Sequence, residues 1–181
     1  VLFGLIALMI ALVGVFLGTH LIGGRLFANV WALNVNLGEL TYQEAAAALQ
    51  NRWSTSMQIQ LRDGDRIWAA SPSQFGLSLD AAATVEAARG VGMAGMPFGY
   101  SVMPVVTMDL LTTQNFFLDL TEQTKVLPYN AGFEWQGDTL VGKPGTDGRF
   151  LDVAATIASL NTNLSLVGAT GVFNLVMTEM P

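Results

Sequence analysis

The first 24 residues, Val1 to Gly24, carry no charged side chain, and nothing else in the chain restricts its folding as strongly. At ~1.5 Å rise per residue a helix of this length is about 36 Å long, enough to cross a ~30 Å hydrocarbon layer. Within it Gly4, Ala7, Ala11, Gly14 and Gly18 recur at spacings of 3, 4, 3 and 4. At ~100° per residue these five share a wedge of roughly 80°, a helix-packing face. Gly14 and Gly18 form a GxxxG pair, and in a bilayer such a groove permits the close backbone approach that drives helix association. The segment predicts a transmembrane anchor helix over 1–24. Its partners are then membrane lipid and another transmembrane helix, in a hetero-complex or a homodimer. The apolar run is longer than the ~7–15 residues of a signal-peptide core and lacks an Ala-x-Ala end, so the anchor reads as uncleaved. Arg25 is the only cation between it and Arg52. The positive-inside rule then predicts a single-pass protein of the cell membrane, with its N-terminus cytoplasmic and its C-terminal domain extracytoplasmic.

Beyond the anchor, the 157 residues after Gly24 are enough to bury a core. Net charge is −6, and the eight Lys and Arg are scattered singly, so there is no basic face to neutralise phosphates and nucleic acid is excluded as a partner. The chain has no Cys and one His, which removes disulfides, thiolate metal sites and a cysteine nucleophile from this segment. Neither a His-assisted triad nor a Ser-x-x-Lys nucleophile can be assembled. No cofactor or metal site is implied.

Local signals divide the remainder. Residues 25–40 read as a linker and first strand. Thr41-Tyr42-Gln43-Glu44 is a capping box ahead of an Ala-rich helix. Met57, Ile59 and Leu61 alternate with polar residues, and Asp63-Gly64 turns the chain into a returning strand, Arg66 to Ala70. Asp80 and Asp152 each cap a helix, Asp109 to Thr121 reads as another, and Val172 to Met180 closes as a strand.

The second half echoes the first. Gly64-Asp65 with Leu77-Ser78-Leu79-Asp80-Ala81-Ala82-Ala83-Thr84-Val85 matches Gly137-Asp138 with Arg149-Phe150-Leu151-Asp152-Val153-Ala154-Ala155-Thr156-Ile157, at offsets of 73 and 72. Either a hairpin, loop and Asp-capped helix are duplicated, or two Ala-rich amphipathic helices coincide. The expected fold class is α+β: one N-terminal transmembrane helix followed by two related α+β lobes with antiparallel sheets. The first lobe spans 41–127 and the second 128–181.

Asn34 to Leu49, Phe75-Gly76-Leu77-Ser78-Leu79-Asp80, Pro128-Tyr129-Asn130-Ala131 and Gly148-Arg149-Phe150-Leu151-Asp152 follow in a telling order. In order and spacing this pattern resembles the peptidoglycan-binding domain found ahead of catalytic modules in membrane-anchored L,D-transpeptidases and VanW-like proteins. The resemblance covers Val30 to Pro181. It implies a wall-facing, non-catalytic domain with peptidoglycan as partner, and it places any catalytic module beyond Pro181. One departure is Arg89-Gly90-Val91-Gly92, where a Gly-Arg-x-Gly turn is expected. The competing expectation is an accessory subunit of a multi-chain membrane complex, held through the transmembrane helix.

Other motifs weigh less. Gly137 to Lys143 fits seven places of a phosphate-binding loop, but Pro144 stands where Ser or Thr is needed. Gly90 to Gly95 spells GxGxxG but follows a helix, so no dinucleotide site can form. His20 lies in the anchor, and the acids Asp63, Asp65, Asp147 and Asp152 sit at turns or caps. Trp31, Trp53, Trp68, Trp135, Tyr100 and Tyr129 could offer stacking faces to sugars. Met93, Met96, Phe98, Tyr100, Tyr129 and Trp135 are the candidate partner or glycan contacts.

Overall fold

A computed structural model describes residues 2–18, 24–96 and 98–180. The first half of the chain forms α1 (Leu2–Leu17), β1 (Val30–Ala32), β2 (Val35–Asn36), α2 (Tyr42–Asn51), β3 (Ile59–Asp63), β4 (Arg66–Ala70), β5 (Leu77–Leu79) and α3 (Ala81–Val91). The second adds β6 (Tyr100–Ser101), β7 (Val106–Met108), α4 (Leu110–Thr124), β8 (Gly132–Gln136), β9 (Thr139–Lys143), β10 (Gly148–Leu151), α5 (Val153–Thr162), α6 (Leu164–Thr170), β11 (Val172–Asn174) and β12 (Met177–Met180). The class is α+β with antiparallel sheets, and β6 pairs with β1 and β11 with β3 in parallel.

The structure corrects the membrane expectation. The N-terminal helix, α1, has 16 residues, about 24 Å at ~1.5 Å per residue, against a hydrocarbon layer of ~30 Å. No helix among the described residues is long and apolar enough to cross a membrane. The transmembrane element of the expected fold class is therefore overturned. So is the single-pass membrane location with its cytoplasmic N-terminus. Residues 19–23, on which the longer reading depended, lie outside the described residues, and His20 with them.

Two compact units are each assembled from separate segments. One comprises Val1–Met57, Leu79–Thr107 and Gly168–Thr170; the other comprises Gln58–Ser78, Met108–Val167 and Gly171–Pro181. In the first, β1 and β2 form a hairpin whose turn residues Leu33 and Asn34 both have positive φ, +51° and +61°. A left-handed Leu costs about 1–2 kcal/mol, and burial of its side chain offsets that here. The capping box on α2 forms as its residue types require. Glu44 N donates to Thr41 Oγ1 at 3.3 Å, and Thr41 N donates back to Glu44 Oε2 at 2.9 Å. The hydrogen bond from the Thr41 backbone N–H, with that from its hydroxyl, holds the Glu44 carboxyl below the usual carboxylate range. Ala45 and Leu49 form the buried face of α2, which packs against α3.

The second unit is built on the sheet β11-β3-β4, with β4 at one edge. Ile59 and Leu61 point from β3 into the core, and Phe75, Phe117 and Phe173 close it with ring separations of 6.2 and 6.5 Å. Helix α4 turns Thr113, Phe117, Leu120 and Thr124 inward. Gly76, at φ +77°, lets the chain pass so close to α4 that an added Cβ would stand 2.8 Å from the Asp109 carbonyl oxygen.

One hydrogen-bond device recurs at the helix starts. Asp80 Oδ1 caps α3 by accepting from Ala83 N, its own N–H donates to Val105 O, and the buried Thr84 Oγ1 accepts from Val105 N at 2.9 Å. Asp152, Val176 and the buried Thr156 repeat this at α5, where Val176 N donates to Thr156 Oγ1 at 3.2 Å. The sequence echo at an offset of 72 between Asp80 and Asp152 thus carries a shared way of tying a strand to a capped helix. Asp109 and Thr113 begin α4 in a related way, with Thr113 Oγ1 donating to Phe75 O at 2.8 Å.

Candidate functional site

A cleft of about 630 Å³ opens in the second unit between β4 and α4. Four consecutive residues of β4, Ile67 to Ala70, form one wall, and Phe116, Asp119, Leu120 and Gln123 form the other. The second set is spaced i, i+3, i+4 and i+7, the spacing that brings helical residues onto one face. Gln74 completes the lining from the 3₁₀ turn Pro72–Phe75. Its Oε1 accepts from Ser71 N at 2.9 Å, which leaves its NH2 to donate. An indole, a phenyl ring, two amides and one carboxylate therefore converge on a concavity whose size suits a small ligand.

The turn beneath β4 is locked. Asp63 is buried, and its carboxylate accepts from Arg66 at 2.5 Å and from Arg149 of β10 at 2.7 Å. Arg66 also donates to Thr124 O at the end of α4, at 2.9 Å, and its guanidinium stands 5.2 Å from the centre of the Trp68 ring. Burial alone would raise the Asp63 carboxyl, but the hydrogen bonds and positive charges of the two arginines outweigh it and hold the group below its ordinary range. One carboxylate thereby fixes β4, α4 and β10 together, and with them both walls of the cleft.

The candidates from sequence fall elsewhere. On α1, Gly4 and Gly14 have nothing within 4 Å of a built Cβ, as has Gly18 just beyond it, while Ala7 and Ala11 are exposed. Met93, Phe98 and Tyr100 are exposed in the first unit and Met96 is half-buried; Tyr100 helps line a separate cleft of about 530 Å³ with Val91, Val102 and Met103. Tyr129 and Trp135 belong to the second unit, outside the β4–α4 cleft. Trp135 lies on the exposed hairpin β8–β9 beside Phe133, and Tyr129 takes Lys143 over its ring at 4.6 Å. The phosphate-loop lookalike is that hairpin, and the GxGxxG segment ends α3 and passes into a 3₁₀ turn. Among the sequence candidates only Trp68 lines the β4–α4 cleft. Phe116 and Asp119 lie in the helix expected over Asp109 to Thr121 and Gln123 lies just beyond it, and no spacing in the sequence marks the three as a site.

Residues 68–166, more than half of the chain, match the model of the family described as "Putative peptidoglycan binding domain". The chain belongs to this peptidoglycan-binding domain family. The match begins at Trp68 and takes in every residue lining the β4–α4 cleft except Ile67. No curated protein and no solved structure matches the chain. Membership agrees with the resemblance carried by Phe75 to Asp80 and Gly148 to Asp152, and it places both motifs in this domain.

Proposed function

We propose that this peptidoglycan-binding domain attaches its protein to the cell wall and performs no covalent chemistry of its own. The observation that carries the reading is the family match over 68–166, which contains nearly the whole lining of the cleft. Peptidoglycan presents amino-sugar rings and short peptides. The Trp68 indole suits the apolar face of a ring or a side chain, and Gln74, Gln123 and Asp119 suit hydroxyls and amides. The lining supports holding rather than cleaving. Asp119 is its only carboxylate, whereas glycoside hydrolysis ordinarily needs two. Association with the cell envelope follows from this reading without any membrane-crossing helix.

Co-sedimentation of the full chain with purified sacculi tests the proposal, with an unrelated acidic protein as control. Enrichment over the control is expected. Trp68→Ala, checked for folding by circular dichroism, should weaken binding about tenfold or more, as loss of a central aromatic contact does. Equal pelleting of chain and control would end the reading.

A further inference from the structure

The wall of the cleft formed by β4 is a sheet edge that no strand among the described residues pairs with. On β3, Gln60 N donates to Gly171 O and Arg62 O accepts from Leu175 N, so the backbone groups of these two residues face β11. The alternate residues Ile59, Leu61 and Asp63 therefore face β4, opposite Ala70, Trp68 and Arg66. It follows that Ile67 and Ala69 aim their N–H and C=O groups out of the sheet, along the edge that borders the cleft. Both residues are exposed. Sheet edges are ordinarily protected by Lys, Pro or a bulge, and here Ile67-Trp68-Ala69-Ala70 has none of these. Opposite this ladder stands α4, with Phe116 and Leu120 as an apolar floor. Asp119 lies beside them, a carboxylate that no cation among the described residues pairs with.

We infer that the cleft takes the peptide part of the wall polymer, in extended form and carrying an amine, as an added strand on β4. This rests on the wall-binding reading for the source of the peptide, while the geometry requires only an extended backbone. An incoming strand exchanges two hydrogen bonds with Ile67 and two with Ala69, lays side chains on Trp68 and Phe116, and brings its ammonium group to Asp119. A glycan chain carries its acetamido groups as side substituents, one per sugar, and has no main chain alternating N–H and C=O at the ~3.3 Å rise of a strand to match this edge. A second copy of the chain would bring another acidic chain, net charge −6, to the same carboxylate, which disfavours self-pairing.

Sacculi digested with an amidase yield two probes, released peptides and peptide-free glycan chains, for titration against the ¹⁵N-labelled full chain. The expected result is that the peptide fraction shifts the Ile67 and Ala69 amides and slows their hydrogen exchange, whereas the glycan fraction does not. Ala69→Pro removes one outward donor without touching the β3 ladder, and Trp68 before it is already extended as proline demands. This variant should weaken peptide binding roughly tenfold. If it does not fold, the shifts and exchange of the wild-type amides decide the matter alone. Binding of glycan without peptide overturns the proposal and leaves wall binding intact, as does pelleting with sacculi while the peptides leave both amides unmoved. Peptide binding by a chain that does not pellet with sacculi upholds the proposal and removes the wall reading. Shifts at Ile67 and Ala69 that follow protein concentration, with dimers in sedimentation velocity, identify a second copy as the occupant and overturn it.

Discussion

Asp63→Asn is the most informative single change to the scaffold. The carboxylate side chain is 3% exposed and receives charge-assisted bonds from Arg66 and Arg149 at 2.5 and 2.7 Å. Hydrogen bonds to charged groups contribute about 1.5–3 kcal/mol each. Removing one member of a fully buried pair costs about 3–5 kcal/mol in all. The arginine side chains are 38% and 39% exposed, so solvent screens part of this and about 2–3 kcal/mol is a fair expectation. Nothing among the described residues compensates Arg149 Nε, which is buried without an acceptor. At about 2–4 °C per kcal/mol for a chain of this size, the melting temperature at pH 7 should fall by roughly 4–12 °C. The dependence on pH gives a second check. Because the carboxyl is depressed in the folded chain, its contribution is complete above the ordinary carboxylate value of ~3.9 and is lost as pH falls through the depressed value. The gap between parent and variant should be widest near neutrality and should close in acid. A variant melting within 1 °C of the parent at pH 7, or a gap unchanged between pH 7 and pH 2.5, would refute the lock assigned to Asp63.

Gly76→Ala forces a left-handed alanine, and its Cβ would meet the Asp109 carbonyl at 2.8 Å; a loss of about 2–3 kcal/mol in urea unfolding is expected. Thr156→Val keeps the side-chain shape but leaves Val176 N–H without its acceptor, so about 1–3 kcal/mol should be lost. Thr84→Val should do the same through Val105 N–H, and equal effects would mark the two helix starts as energetically equivalent. Trp68→Ala, unlike these, should leave unfolding less affected than sacculus binding, since the indole is half-buried beside the cleft.

What was legible in the sequence was local. Thr41 with Glu44, and Asp80, Asp109 and Asp152, announce helix starts because a cap is decided within four residues. Ile59 and Leu61 alternate with more exposed neighbours because one face of β3 is buried. Non-local choices stayed hidden. The stretch expected as one closing strand, Val172 to Met180, divides in two. Its first part runs parallel to β3, Leu175 N still reaches Arg62 O, and Val176 then turns to Thr156. Leu33 gives no turn signal, yet it takes positive φ because its side chain is buried. The uncharged N-terminal run reads as a membrane span by composition, but a span also needs length, and the described helix supplies 16 residues. The cleft was invisible for a similar reason. Trp68 can be seen as an aromatic residue, but only the placement of β11 on the far side of β3 leaves β4 as an edge facing Asp119 and Gln123.

Hydrogen exchange of the full chain, with and without intact sacculi, tests most directly the proposal that the β4–α4 cleft binds the wall. Sacculi should slow exchange in the segment containing Ile67 and Ala69 and leave the exposed hairpin β8–β9 unchanged. Protection confined to that hairpin, or no protection anywhere in a chain that pellets with sacculi, would contradict the account.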